Sequence, residues 1–264
     1  MSIFGFARKA IMEDSIQREA GYEYVEQGEG PVIMLLHGLF GALSNFKDVL
    51  NHFSDKYKVV IPLMPIYELP VINTNVKNLS KFVSDFIEFK GYKEVHLLGN
   101  SLGGHVALVY ANSHPEKVKS LTLTGSSGLY ENAMGSTFPK RGNKDFVRTK
   151  VAETFFDPEN ATDDLVDECF DIVNDKGKVV RVLSLAKSAI RHNMSKDLPN
   201  MDLPVCLVWG KNDTITPPEV AEEFEELLPN AELFWIEKCG HAPMMERPQQ
   251  FNDIVSTWLA KHFG

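Results

Sequence analysis

The stretch VHLLGNSLGGHVALVYANSHPEKV, residues 95–118, changes its hydrophobic period at its centre. Residues 95–98 form a short apolar run, too brief for a helix and shaped like a buried strand. After Ser101 the apolar residues Leu102, Val106, Ala107, Val109 and Tyr110 fall at helical spacing. Gly99, Ser101 and Gly103 therefore sit at a joint between strand and helix. Glycines two residues before and two after a serine permit a tight turn that lifts the hydroxyl out above a sheet. The same turn sets the serine at a helix N-terminus, where unpaired N–H groups favour developing negative charge. This is the setting of a nucleophile.

The period seen at this joint repeats along the chain. Strand-like runs occupy 15–18, 21–26, 31–38, 58–63, 94–99, 118–125, 204–210 and 232–237. The later ones are apolar on both faces, as parallel strands covered by helices are. Helical patterns cover 76–90, 102–113, 216–228 and 248–262. The alternation predicts an α/β fold, a doubly wound and mostly parallel sheet. Residues 127–200 interrupt it, too long for one crossover and with helical stretches at 147–156, 162–173 and 178–190. They read as a helical lid inserted between two strands, leaving 1–126 and 201–264 as the core domain. Phe146, Phe155, Phe156, Leu165, Phe170, Leu183 and Leu185 offer apolar surface for the lid's own packing or for a pocket.

Composition narrows the function. A chain of 264 residues, 44% apolar, can bury a full core as one domain. A net charge of −9 argues against nucleic acid as a partner. Cys169, Cys206 and Cys239 are too few and too scattered for a disulfide framework or a zinc site. No apolar stretch reaches membrane-spanning length. The opening MSIFGFARKAIMEDS reads as a short amphipathic helix or arm rather than a signal peptide, and the simplest expected location is the cytoplasm.

A serine hydroxyl needs a base, and the base needs an orienting group. VCLVWGKNDTITPPEV places Asp213 in a loop after a strand, and FWIEKCGHAPMMERP places His241 after the next. A lone loop aspartate is usually a cap, and a lone loop histidine is usually solvated. Ser101, Asp213 and His241 in this order, each just past a strand, make the arrangement of a strand–helix serine hydrolase. LLHGLFG (35–41) follows the first central strand with glycines at 38 and 41. The expected oxyanion donors are the backbone N–H groups of Leu102 and Leu39, with Phe40 as the fallback and a substrate contact. His37 in the same loop reads as a structural hydrogen-bonding residue.

HGLFG, GNSLGG, LVWGKND and CGHAPMMERP together resemble the α/β-hydrolase-fold superfamily over nearly the whole chain. The motifs match its oxyanion loop, nucleophile elbow, acid loop and histidine loop. Among its branches the chain resembles small lidded esterases, carbon–carbon bond hydrolases of ring-fission products, and carrier-protein methyl-ester esterases. Serine as nucleophile counts against the related epoxide hydrolases and haloalkane dehalogenases, which use aspartate there. Where relatives carry an Asp-x-Pro-Gly-x-Gly loop, this chain has MPIYELPVINTN, without glycine.

The expected function is hydrolysis of a small carboxylic ester or related acyl compound through an acyl-enzyme, with no metal or organic cofactor implied. The alternatives are carbon–carbon bond hydrolysis of a diketone-like ring-fission product and a ligand-binding receptor on a hydrolase scaffold. The basic segment TFPKRGNKDFVRTK (137–150) opens the lid. Its simplest reading is a solvated face balanced by the acidic stretch 157–168. The sharper expectation is that Arg141 or Arg148 attracts an anionic substrate or an acidic carrier protein.

Overall fold

The computed structural model describes residues 15–41, 43–132 and 141–264. Eight strands form one sheet: β1 (Gln17–Glu19), β2 (Tyr22–Gln27), β3 (Val32–Leu36), β4 (Lys58–Pro62), β5 (Val95–Asn100), β6 (Val118–Thr124), β7 (Val205–Gly210) and β8 (Ala231–Ile236). Their spatial order is β1-β2-β4-β3-β5-β6-β7-β8. The β1–β2 and β2–β4 pairs are antiparallel and every later pair is parallel. The helices are α1 (Lys47–Phe53), α2 (Val76–Lys90), α3 (Leu102–Ser113), α4 (Lys144–Ala152), α5 (Asp163–Asn174), α6 (Lys176–Arg191), α7 (Pro218–Leu227), α8 (Pro243–Glu246) and α9 (Pro248–Phe263).

The continuous apolar runs of the central strands feed two cores, one on each face of the sheet. Met34 and Leu36 of β3 pack with α2, α3 and α7 through residues such as Val83, Val106 and Phe224. Ile33 and Leu35, one residue out of phase, pack with α1 and α9 through Leu50, Val255 and Trp258. Strand β7 divides the same way, with Leu207 and Trp209 on one side and Cys206 and Val208 on the other. Each large side chain buried so contributes about 1.5–3 kcal/mol relative to leaving it in water. All three cysteines are free and buried. Strand β8 differs from the both-faces expectation: as the edge strand it keeps five of its six residues only partly buried.

The helices between β6 and β7 start where a side chain caps them. Asn143 accepts from Phe146 N at 2.9 Å, so α4 begins three residues before the apolar pattern first shows it. Thr162 caps α5 and Asp175 caps α6 in the same manner. Their apolar faces join the two main cores: Val147, Val166 and Val173 on one side, Leu185 and Ala189 on the other. Among the described residues no helix is long and apolar enough to cross a membrane. The amphipathic arm expected at the start of the chain lies outside the described residues.

Candidate active site

The joint between β5 and α3 is a strained turn. Ser101 has φ 54° and ψ −121°, a conformation that side-chain-bearing residues seldom adopt. The flanking glycines explain why the chain can hold it. A Cβ at Gly103 would collide with Leu36 O, and one at Gly99 would sit 2.5 Å from Gly104 N. Ser101 N donates to Thr124 O at 3.2 Å, and Gly104 N and His105 N donate back to Ser101 O. The serine is thereby fixed at the head of α3 with its hydroxyl on a cavity.

Asp213 and His241 meet at that cavity from the ends of β7 and β8. His241 Nδ1 donates to Asp213 Oδ2 at 2.9 Å. The remaining capacity of the carboxylate is filled by Ile215 N (2.8 Å), Thr216 N (3.0 Å) and Thr216 Oγ1 (2.9 Å). Burial works against a charged His241, but the charge and hydrogen bond of Asp213, with the charge of Glu131, outweigh it and raise its pKa above the ordinary 6.5. Among the described residues Ser101 Oγ makes no hydrogen bond, and contacts of this kind tighten on substrate binding.

Leu39, Phe40 and Leu102 line the cavity beside Ser101. The loop that carries Leu39 is braced from two directions. His37 Nδ1 donates to Gly38 O at 3.0 Å while its Nε2 accepts Met64 N at 3.2 Å. Burial lowers the pKa of His37, which keeps the ring neutral for this double role. Tyr67 Oη donates to Leu39 O at 3.1 Å. The glycine-free MPIYELPVINTN segment thus supports the loop at residues 37–41, a task its sequence did not reveal.

The cavity measures about 730 Å³ and is mostly apolar. Phe146, Phe155 and Leu165 of the inserted segment line it. Phe156 is exposed and Leu185 is fully buried in the core. Arg141 and Arg148 are placed elsewhere. Arg141 donates to Asn174 O at 2.8 Å, and Arg148 reaches Ala161 O and Asp163 Oδ1. Neither lines the cavity, because each guanidinium is drawn to a partner on the insertion's own outer surface. The charged residues that do line it, among those described, are Glu131, Lys150, Glu153 and His241.

Three site residues escaped the sequence reading. Asn100 donates to Thr124 O and to His241 O, tying the histidine loop to β6. Glu246, 5% exposed, accepts Gly240 N at 2.7 Å, Asp157 N at 2.7 Å and Phe156 N at 3.2 Å. Glu131 lies by the histidine, and Ser127 Oγ donates to it at 2.5 Å. Only Asn100 carried a local signal, its place next to Ser101. The other two depend on contacts made by the folded chain. Among the described residues no group of three His, Cys, Asp or Glu side chains could hold a metal ion.

The eight-stranded sheet with a serine on a strained strand–helix turn defines a hydrolase of the α/β class. Residues 33–254 match the alpha/beta hydrolase family, and the chain belongs to it. Similar to it is an alpha/beta hydrolase enzyme from the sediment metagenome of the Mar Chica lagoon in Morocco. That structure is 44% identical, superposes with a TM-score of 0.78, and is matched over 93% of this chain and 98% of its own. A 2-hydroxy-6-oxononadienedioate/2-hydroxy-6-oxononatrienedioate hydrolase of Pseudomonas sp. is 26% identical over 87% of this chain and 88% of its own. A monoacylglycerol lipase of Xenopus laevis is 25% identical over 88% and 76%. The chain is thus an enzyme of this family, whose relatives include lipases and carbon–carbon bond hydrolases.

Proposed function

We propose that the protein hydrolyses small carboxylic esters through a covalent acyl-enzyme. Ser101 attacks the ester carbonyl and His241 takes its proton, later returning it to the leaving alcohol. Asp213 holds the histidine in the tautomer that presents Nε2 to the serine. The N–H groups of Leu102 and Leu39 receive the oxyanion, and each such donor supplies on the order of 10²–10³ in rate. Water then releases the acid. The observation that carries this reading is the meeting of the strained Ser101 turn and the His241–Asp213 pair on one apolar cavity.

The charge of the cavity wall favours esters over the carbon–carbon substrates. The dicarboxylate in the Pseudomonas relative's name would need cationic partners, whereas Lys150 in this cavity is already paired with Glu153 at 2.7 Å. A screen of p-nitrophenyl esters of graded chain length, beside a ring-fission dicarboxylate, tests the proposal. Turnover of the esters is expected. Selective turnover of the dicarboxylate, or saturable binding with no turnover of either, would contradict it.

A further inference from the structure

Acyl transfer by Ser101, His241 and Asp213 leaves the cavity carboxylate of Glu131 without a task. Glu131 follows β6 by seven residues and lines the cavity with the nucleophile and the histidine. Its position is built rather than incidental. Ser127 Oγ donates to its carboxylate at 2.5 Å, and Ser127 N donates to Ser101 O at 3.2 Å. One serine therefore joins the carboxylate to the backbone of the nucleophile. Next in sequence, Asn132 N donates to Ile215 O and Asn132 Nδ2 to Thr214 O, which anchors the segment to the acid loop.

The charges around Glu131 leave it available to a ligand. Lys150, which also lines the cavity, is engaged by Glu153, and neither Arg141 nor Arg148 is part of the lining. Among the described residues no lysine or arginine forms an ion pair with Glu131. Burial raises its pKa from 4.5, opposed by the Ser127 hydrogen bond and by the charge of His241. A carboxylate in an apolar enclosure is costly unless paired, and a bound cation would pair it.

We propose that Glu131 is the specificity-determining residue of the cavity: it receives an ammonium or similar hydrogen-bond-donating group on the ester and rejects esters that carry a carboxylate. This rests on the ester-hydrolase reading above and names the substrate class within it. The inference reverses the expectation attached to Arg141 and Arg148, since the charge facing the substrate is negative.

Three p-nitrophenyl esters of matched length test it, with acyl chains ending in a methyl, a primary ammonium or a carboxylate. In the wild-type protein kcat/KM should fall in the order ammonium, methyl, carboxylate. In Glu131→Gln the ammonium-to-methyl ratio should fall about tenfold and the carboxylate-to-methyl ratio rise about tenfold, as expected of a partly buried charge pair. Each ratio is taken within one variant, and labelling of Ser101 by a fluorophosphonate confirms that the variant keeps a folded site. Turnover with flat wild-type ratios, or ratios unmoved in Glu131→Gln, would overturn the role of Glu131 while leaving ester hydrolysis intact. Turnover of none of the three by the wild type would overturn the ester-hydrolase reading and this inference with it.

Discussion

The loops at the ends of β5, β7 and β8 and the helices between β6 and β7 both face the cavity, but they are held by different means. The loops are fixed by backbone strain and by buried hydrogen bonds. Ser101 is locked between Thr124 and its own helix, and the buried Asp213 accepts from Ile215 N, Thr216 N, Thr216 Oγ1 and His241 Nδ1. The inserted helices present apolar faces inward and hold themselves together outside with exposed ion pairs such as Arg148–Asp163. The two regions meet along a seam at residues 153–157. There His241 N donates to Thr154 O at 2.8 Å, Thr214 Oγ1 donates to Glu153 O at 3.0 Å, and Glu246 collects the N–H groups of both sides. The proposed chemistry thus falls on the strained, polar-networked part, while the apolar part lines the cavity. The division fits a general rule: reacting groups need fixed geometry, and apolar walls tolerate change of shape.

The largest effect should come from the networked side. Asp213→Asn would keep the loop's shape but favour the wrong histidine tautomer, costing on the order of 10⁴-fold in kcat for ester hydrolysis. Steady-state kinetics within about twofold of the wild type would place the orienting acid elsewhere.

The seam comes next. Glu246→Ala removes the acceptor of three N–H groups in a buried position, and the loss should be about 2–4 kcal/mol in urea unfolding. Turnover should fall as well, because Gly240 and His241 lie in the loop that Glu246 holds. A change in stability below about 0.5 kcal/mol would mean that the two regions are joined by apolar contact alone.

The raised pKa of His241 gives the pH dependence two opposite signs. Catalysis needs the neutral ring, so kcat/KM should be lost as pH falls through a midpoint above 6.5. Stability runs the other way: the protonated His241–Asp213 pair contributes fully below the unfolded-state value and loses its contribution as pH rises through the folded one. Among the described residues Asp213 and Thr216 contact Nδ1 of the ring and the charge of Glu131 raises its pKa, so Glu131→Gln should move the acid limb of kcat/KM downward. An acid limb below 6.5 in the wild type would contradict the assignment of His241 as the base.

The smallest effect belongs to the outer surface of the insertion. Arg148→Ala breaks a half-exposed pair with an exposed aspartate, and turnover of a neutral ester should stay within about twofold. A tenfold loss would bring Arg148 back to the substrate.

The contrast between the two regions also explains what could be read from the sequence. The elbow was legible because its determinant is local: the steric need for Gly99 and Gly103 around Ser101 is written within five residues. Asp213 and His241 were legible because parallel strands deliver their following loops to one edge of the sheet. Helix α1 was not, since seven residues give too little periodicity, and its place is set by Val49, Leu50 and Phe53 docking on the sheet. The start of α4 depended on the Asn143 cap, which the apolar pattern does not contain. Glu246 and Phe156 are 90 residues apart in sequence, and Tyr67 and Leu39 are 28. Contacts of that span leave no periodic trace, so the seam and the brace of the Leu39 loop emerged only from the folded chain. The basic run 137–150 was legible as charge but not as direction, and Arg141 and Arg148 turned to the insertion's own acceptors.

The central claim is that the strained serine forms the covalent intermediate. Fluorophosphonate treatment followed by peptide mass spectrometry tests it directly. One adduct on the peptide bearing Ser101 is expected, formed in proportion to the loss of ester hydrolysis and absent in Ser101→Ala, whose turnover should fall on the order of 10⁴-fold or more. An adduct on another serine, or ester hydrolysis retained in Ser101→Ala, would contradict the claim.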